Sequence, residues 1–535
     1  MAFVPNGTIR LLAGVPLDNA YIHTVKFSSA SAQATAMIAK TKKVYEHCTY
    51  IRETNRIRIP DVYDDVVMCN YLMYQNAGYG SNKWFYAFIT GVYYVNDHAT
   101  EIEFELDVMQ TWQFDYDILP CFIERNHTAT DVIGENIVEE NLNIGEYEVL
   151  AVNASDRFST WDIVMLSTFD PSTWLSTGGG LTGGVYTALN RTVIGTVTIS
   201  MTGQTPSATF TTDPRPFMTD LINNHADKID GVISIFMTPH TLEGNQGLTF
   251  AINKPTSSTV LLGNYTPKNK KLYTAPYTIL YVTNGDGAGK QYNFEDFYTS
   301  LSADFKIYTD RAPNQSVVAV PLMYKTPTYQ QMDNNALNYG EALVMSGFPE
   351  CAWISDIYKT YVAQNKAQLT LSTVTAGAQI IGGAVGAVAT GGAGIAAGGA
   401  SIMSGISQIS HMLTDLADKK RLAPQVHGTP TGSSFFTIAD KTFRAYTLCP
   451  KAEYIRIIDD YFDMYGYAIH RVGVPNIDVR PNWCYVKTVD AAIKPKGIDG
   501  LPASDMRMIE SCLNKGITYW KNMADVGDYT LNNTV

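Results

Sequence analysis

Hydrophobic and acidic residues alternate strictly in the stretch EIEFELDV, residues 101–108. A period of two predicts a half-buried strand whose two faces differ. One face carries apolar side chains and the other carries four carboxylates: Ile102, Phe104, Leu106 and Val108 against Glu101, Glu103, Glu105 and Asp107. The apolar run at residues 83–95 is joined to this strand by NDHA, residues 96–99, which predicts a hairpin with a four-residue loop.

Five further runs have the length and the β-branched or aromatic content of strands. They are DIVMLST (162–168), VIGTVTIS (193–200), GVISIFMT (231–238), LTFAIN (248–253) and VVAVPLMY (317–324). Strands therefore dominate the pattern, and we expect a mainly β protein of the β-rich α+β class.

Four segments carry helix signals: residues 28–43, 353–366, 452–466 and 502–516. The first begins with serine and ends with lysine, as the helix dipole favours. The third predicts Gly466 as C-terminal cap and an apolar face of Ile455, Ile458, Phe462 and Tyr465. The fourth predicts Ser504 as N-cap, Gly516 as C-terminal cap and an apolar face of Met508, Ile509, Cys512 and Leu513.

The most unusual segment lies between Lys366 and Asp415, where 48 consecutive residues carry no formal charge apart from any protonated His411. As a straight helix it would be about 72 Å long, roughly two bilayer cores. The cluster TGGAG, residues 390–394, suits a reversal between arms at 369–389 and 395–413. Eleven apolar residues are the candidate membrane-insertion residues: Ile380, Ile381, Val385, Val388, Ile395, Ile402, Met403, Ile406, Ile409, Met412 and Leu413.

Three interpretations of this span stay open. Conditional insertion into a membrane is favoured by the absence of charge, and the small-residue spacings would allow close packing of helices in lipid. A plug or packing role without lipid contact is the second interpretation. A flexible linker is the third, although the large apolar residues are unusual for one, and the glycines disfavour a fixed helix in water.

Composition narrows the classes of function. The 535 residues include 33 tyrosines and 21 phenylalanines, only 17% are charged, and the net charge is -12. The many aromatic and few charged residues suit strands with large buried interfaces, and the acidic excess disfavours a broad DNA-binding surface. The seven cysteines are never closely spaced, which predicts reduced thiols made in a cytoplasm, and no secretory signal is visible at the start.

Candidate catalytic and cofactor sites are weak, so we expect no catalytic residue, no cofactor and no metal. The segment NGDGAGK, residues 284–290, has the wrong spacing for a phosphate loop and predicts a hairpin turn. The nine histidines lack metal-ligand spacing and are predicted to be structural. The carboxylate pairs Asp64 with Asp65 and Asp459 with Asp460 are predicted to be solvated. A carboxylate pair assembled only by the fold would still permit wall-degrading activity.

Several sequence segments resemble one protein family, and they occur in the order typical of that family. They are NAGYGSNKWFYAFITGVYYV, FELDVMQTW, CFIERNH, YVAQNKAQ, YGYAIHRVGVPNIDVRPNWCYVKT and GITYW. They look like the tail knob, or distal tube, proteins of the small short-tailed phages of Gram-positive bacteria. The resemblance covers about residues 1–130 and 335–535.

The resemblance implies a domain plan. Residues 1–130 would form an N-terminal, β-barrel-like tube domain and 131–334 an inserted β-rich knob domain. Residues 335–366 would be a helical lead-in, 367–425 a hydrophobic loop and 426–535 a C-terminal tube domain with helices.

The resemblance also implies a function: a non-enzymatic virion protein of the tail, made in the host cytoplasm without a signal peptide. The expected partners are five further copies in a homo-hexameric ring or tube, other tail proteins, the host cytoplasmic membrane through residues 367–425, and DNA passing through the lumen without specific binding. The loop would plug the lumen and then form a pore for genome ejection. The acidic face of residues 101–107 is a candidate lumen lining. A tail-tip receptor-binding or wall-degrading protein is the alternative.

Overall fold

The computed structural model describes residues 7–48, 54–76, 82–156, 158–171, 180–182, 185–187, 190–202, 205–225, 228, 231–240, 248–299, 301–309, 316–325, 337–346, 348, 350–351, 353–355, 425–427, 441–496 and 501–535. The chain divides into two compact units. The first unit comprises Met1–Glu148, Thr256–Thr278 and Cys449–Val535, and the second comprises Val149–Pro255 and Ile279–Leu448.

Strands make up most of the regular structure, which confirms the mainly β class. In chain order they are β1 Gly7–Leu12, β2 His23–Val25, β3 Thr41–Cys48, β4 Arg56–Ile59, β5 Tyr71–Asn76, β6 Trp84–Asn96, β7 Ala99–Leu106, β8 Tyr116–Ile118, β9 Cys121–Asn126, β10 Tyr147–Ala154, β11 Thr160–Ser167, β12 Gly180–Thr182, β13 Val185–Thr187, β14 Asn190–Thr202, β15 Thr205–Thr212, β16 Val232–Pro239, β17 Leu248–Asn253, β18 Ile279–Thr283, β19 Gly289–Tyr292, β20 Ser302–Thr309, β21 Val317–Pro321, β22 Leu343–Met345, β23 Glu350–Cys351, β24 Trp353–Ser355, β25 Gln425–His427, β26 Arg444–Pro450, β27 Tyr467–Gly473, β28 Trp483–Val489, β29 Ile493–Pro495 and β30 Ile517–Trp520.

The described helices are few and short. They are α1 Ala30–Ile38, α2 Tyr63–Val66, α3 Val108–Thr111, α4 Arg215–Asn224, α5 Ala452–Tyr465 and α6 Ala503–Lys515.

The first unit contains a six-stranded sheet in the order β3-β1-β5-β6-β7-β4. Its two edge strands approach each other through Asp61, two residues after the end of β4. The Asp61 carboxylate accepts a hydrogen bond of 2.7 Å from the Tyr45 hydroxyl of β3 and lies 3.4 Å from the Lys43 ammonium of the same strand. The sheet therefore curls into a partly closed, barrel-like form around apolar side chains such as Leu11, Tyr71 and Ile102.

The predicted hairpin of β6 and β7 is present, with a shorter loop than expected. Asn96 pairs with Ala99, so only two residues, Asp97 and His98, connect the strands. A two-residue connection matches the twist of antiparallel strands better than four unpaired residues would, and it adds a backbone pair.

The strand ends at Leu106, which corrects two positions of the alternating pattern. Asp107 is 2% exposed and does not belong to a solvated carboxylate face. Its carboxylate caps α3 by accepting hydrogen bonds from the Gln110 amide (3.0 Å) and the Tyr71 hydroxyl (2.8 Å). Val108 is the first residue of α3. A cap satisfies a free amide of the helix start, and this need overrides the strand periodicity.

A five-stranded sheet in the order β2-β30-β28-β9-β27 completes the first unit's main framework. Helix α5 buries Ile455, Ile458 and Phe462 as predicted, and it ends at Gly466 with φ of 65°. A side chain at Gly466 would lie 2.4 Å from the Asn126 carbonyl oxygen of β9, so glycine is required there for both reasons.

Helix α6 also occurs where the sequence predicted it, but its start differs. The residue at the N-cap is Pro502, and Ser504 lies inside the helix with its hydroxyl bonded to Asp505. The predicted apolar face is confirmed for Ile509, Cys512 and Leu513, whereas Met508 is exposed.

The predicted helix at residues 28–43 is too long. Helix α1 ends at Ile38, and the lysines expected in its last turn lie on β3 instead, where residues 41–48 pair with β1. Residues 353–355, expected to begin a helix, form strand β24, and the rest of that segment lies outside the described residues. In both cases pairing with a distant strand overrides local helix signals.

The second unit contains three larger sheets. Their orders are β15-β14-β11-β16-β23, β17-β20-β21-β22 and β10-β26-β18-β19. All five apolar runs predicted as strands coincide with strands here, namely β11, β14, β16, β17 and β21. They share one hydrophobic core with fully buried residues such as Trp161, Phe305 and Val317.

Candidate functional site

The eleven candidate membrane-insertion residues, Ile380 to Leu413, all lie outside the described residues, so their role stays a prediction. Among the residues that the structure describes, no helix has both the length and the apolar character needed to cross a bilayer. The candidate site that lies within the described residues is the carboxylate face of β7, the candidate lumen lining.

Two arginines of β4 lie against this face. The register of β4 on β7 pairs Arg56 with Glu103 and Arg58 with Glu101. The Glu101 carboxylate lies 3.3 Å from the Arg56 guanidinium and 3.2 Å from that of Arg58, and Glu103 lies 3.4 Å from Arg56. Paired residues of an antiparallel ladder project to the same side, so the sheet places opposite charges side by side.

Polar neighbours complete the face. The Tyr93 hydroxyl of β6 donates a hydrogen bond of 2.8 Å to Glu103, and the Arg56 guanidinium lies 5.7 Å from the centre of the Tyr93 ring. The Asn19 amide donates to Glu105 at 3.1 Å. We call the five charged residues Arg56, Arg58, Glu101, Glu103 and Glu105 the mixed-charge face; its three carboxylates and two guanidinium groups give a net charge of -1.

The sequence prediction of a four-carboxylate face is therefore wrong in two respects: Asp107 is buried, and Arg56 and Arg58 neutralise most of the remainder. The missed signal was RIRI, residues 56–59, which alternates in the same way with basic side chains. Each exposed ion pair contributes little to stability, about 0–1 kcal/mol. Its effect is on the potential, because a carboxylate beside a guanidinium repels phosphate less than an isolated one.

The predicted solvation of the adjacent carboxylate pairs holds for Asp64 and Asp65, which are exposed, and for Asp460. It is wrong for Asp459, which is fully buried. Asp459 accepts hydrogen bonds from the Tyr265 hydroxyl (2.6 Å) and from the backbone amides of Lys268 (2.7 Å) and Asn269 (3.0 Å). A buried carboxylate is stable only with such donors, and these come from a segment nearly 200 residues away in sequence.

A second buried polar cluster surrounds Glu140. Its carboxylate lies 2.5 Å from the Lys271 ammonium, pairs with the Arg125 guanidinium and accepts the Ala468 amide at 3.1 Å. The Lys271 side chain is 0% exposed and that of Glu140 is 4% exposed. Lys271 also donates to the Val138 carbonyl at 2.6 Å. These bonds fix the irregular segment that contains Glu140 against β9 and β27 of the same unit.

His127 is a structural histidine, as the sequence predicted. Its Nδ1 accepts a hydrogen bond of 2.8 Å from the Tyr485 amide, so Nε2 carries the proton and donates to the Asp463 carbonyl at 3.1 Å. Burial and the neighbouring Arg480 guanidinium lower the pKa of His127 to about 3.

Metal and phosphate chemistry find no support in the described part of the chain. Within those ranges no three His, Cys, Asp or Glu side chains come together as metal ligands, and six of the cysteines are free thiols. The predicted hairpin turn is confirmed: residues 284–288 connect β18 to β19, and Gly289 and Lys290 already belong to β19. Two of its amides are bonded within the turn, since Asn284 Oδ1 accepts from Asp286 (2.8 Å) and Ala288 (3.2 Å).

Comparison with known proteins agrees with this architecture. The solved structure of the bacteriophage C1 tail knob protein gp12 matches the fold with a TM-score of 0.61 at 12% sequence identity, over 99% of this chain and 100% of that one. The tail knob protein gp9 of Bacillus phage B103 is 27% identical and that of Bacillus phage phi29 is 26% identical, each over 100% of both chains.

The fold is thus that of a phage tail knob protein, and the class is a structural component of the virion tail. A family profile described as Bacillus phage phi29, tail knob protein gp9, C-terminal domain matches residues 243–534, and one described as caudoviral major tail protein N-terminus matches residues 5–117. The first profile spans more than half of the chain, so the chain belongs to the family of the phi29 tail knob protein gp9. The matched relatives are structural tail knob proteins, and the resemblance noted in the sequence is confirmed.

Proposed function

We propose that this chain forms the distal tail tube as a ring of identical subunits, and that residues 367–425 first plug its lumen and then open a path through the host cytoplasmic membrane. The observation that carries the proposal is the uncharged span of 48 residues between Lys366 and Asp415 in a member of a tail knob family. A side chain without charge enters a bilayer at far lower cost than a charged one, which costs about 3 kcal/mol per residue at the helix centre.

The passage of DNA without binding is supported by the charges. The chain has a net charge of -12, and both arginines of the mixed-charge face are held by carboxylates rather than offered to phosphate. A duplex that contacts few free cations gains little from counterion release, so it slides instead of adhering. If this face lines the lumen, it is close to neutral rather than strongly repulsive.

The membrane step is tested by dye release from liposomes. The intact protein is compared with a deletion of residues 367–425 and with Val385→Asp and Ile406→Asp, each of which puts a carboxylate into the span. The matched control is Val260→Asp, at a position outside the span that is 48% exposed. We expect release by the intact protein and the control, and loss of release in the other three.

Equal dye release by the deletion variant and the intact protein would contradict the membrane role and leave a purely structural tube. The conduit itself is tested by electron microscopy of the purified protein, where rings with an open or plugged centre are expected. A shift of labelled duplex DNA by the protein at about 150 mM salt would contradict passage without binding.

A further inference from the structure

Strand β10 is exposed on both of its faces. Seven of its eight residues are exposed and only Leu150 is partly covered. Val149 is 48% exposed and Val152 is 58% exposed. These two valines are three positions apart in a strand, so they lie on opposite faces.

The outer edge of β10 carries no strand from the described part of the chain. Among the described strands, β10 is the terminal member of the sheet β10-β26-β18-β19 and has β26 as its one neighbour. It contains no proline and no lysine, the residues that commonly protect an edge strand. An apolar strand held along one edge alone is a template for another strand.

The same sheet ends on its other side at β19, which within the described ranges has β18 as its one neighbouring strand. The amide of Asn284 donates to the carbonyl of Ala288, which makes this pair a hydrogen-bonded one. Hydrogen-bonded and non-hydrogen-bonded pairs alternate along an antiparallel ladder. Gly289 and Gln291 lie one and three positions after Ala288, so their backbone groups point away from β18. They are available to a strand on the outer side.

We propose that β10 of one subunit pairs with β19 of a second copy of this chain, so that the four-stranded sheets continue from subunit to subunit. The occupant is a second copy because one chain carries both edges and because their charges are opposite: Glu148 is the one charged residue of β10, and Lys290 is the one charged residue of β19. Glu148 is exposed. The Lys290 ammonium forms an ion pair of 2.5 Å with Glu341, and its side chain stays 36% exposed, so the cation is open to a second carboxylate.

A contact between two different edges is heterologous, and such contacts generate closed rings when the rotation between subunits closes. The inference therefore rests on the ring of the proposed function and names the surfaces that build it. It does not depend on the membrane step.

The test blocks each edge separately. The double variant Val149→Lys/Val152→Lys places a cation on both faces of β10, and Gln291→Pro removes an outward amide of β19 without touching a bond to β18. Val193→Lys is the control, at a valine that is 45% exposed on β14, which has neighbours on both sides. Light scattering after gel filtration measures the assembly state, and circular dichroism verifies the fold.

Each blocked variant is expected to assemble at least tenfold more weakly than the wild type, and Val193→Lys is expected to assemble normally. An equal mixture of the two blocked variants should give dimers, because each partner keeps one intact edge. If the lysine variant misfolds, Gln291→Pro and amide exchange of residues 149–154 in the wild type still decide: the assembled protein should protect these amides at least tenfold.

Assembly of both blocked variants like the wild type would overturn the proposal. So would wild-type rings whose β10 amides exchange freely, which would leave β10 for another tail protein, and so would a wild type that stays monomeric at high concentration. Rings that release no dye would refute the membrane step and leave the β10–β19 pairing intact. Dye release together with normal assembly of both blocked variants would refute the pairing and leave the membrane step intact.

Discussion

Acid should weaken the first unit through His127. This imidazole is 2% exposed and neutral, with Nδ1 accepting from Tyr485 and Nε2 donating to Asp463. Protonation would put a proton on Nδ1 facing the Tyr485 amide, and the positive charge would lie near Arg480 and Arg125, both of which lower the pKa of His127.

The sign follows from the two pKa values. An unfolded histidine has a pKa of about 6.5, and burial lowers the folded value to about 3. Between these values the unfolded chain binds a proton that the folded chain does not, so stability falls as the pH drops from about 6.5 to about 3. From pH 7 to pH 4 the loss attributable to His127 is about 3 kcal/mol.

Hydrogen exchange of the peptide that covers β28 measures this loss locally, which avoids treating a protein of two units as one transition. The difference between wild type and His127→Gln isolates the histidine, because glutamine keeps one acceptor and one donor and does not titrate. The opening free energy of the wild type should fall by about 3 kcal/mol more than that of the variant over this range.

His98→Gln, at an exposed position of the β6–β7 loop, is the matched control and should follow the wild type. The reasoning would be refuted if His127→Gln lost stability with acid as steeply as the wild type did.

Three further outcomes are expected. Glu140→Ala leaves the Lys271 ammonium buried without its anion and should destabilise the first unit by about 3 kcal/mol in denaturant unfolding. The control Glu146→Ala, at an exposed position, should leave the unfolding midpoint unchanged, and equal effects of the two variants would contradict the role of burial. Gly466→Ala combines a positive φ with a clash against a backbone carbonyl of β9 and should lower the melting temperature; an unchanged value would show that the turn relaxes freely. Burial raises the pKa of Asp107 to about 6, above an unfolded value of about 3.9, so the stability that its protonated form contributes is full below about pH 4 and is lost as the pH rises through about 6. Asp107→Asn should therefore lose less stability than the wild type between about pH 4 and about pH 6, and an identical dependence of stability on pH would refute this.

Local patterns predicted local structure well. The alternation in residues 101–106, the apolar face of α5 and the hairpin turn between β18 and β19 all depend on residues within a few positions of one another. Side-chain direction in strands and helices follows from such short periods, so these elements could be located before any fold was known. Family membership was also evident from phrases scattered along the chain.

The errors fell where distant segments meet. Arg56 and Glu101 are 45 positions apart and form neighbours only because β4 returns to the edge of β7. The lysines after α1 looked like a helix end until pairing of β3 with β1 placed them in a strand. Helical periodicity places Asp459 on the apolar face, four positions after Ile455, but the donors that make its burial possible come from residues 265–269 and are not readable from the helix.

The sequence by itself determined the mainly β class, the positions of the seven strands that it predicted, the uncharged span and the family. The tertiary structure alone decided which charges are neutralised and which carboxylates are buried, because burial and ion pairing depend on segments brought together across the chain. It also decided that β10 and β19 are the two ends of one sheet, since strand order is a property of the assembled sheet and not of either strand.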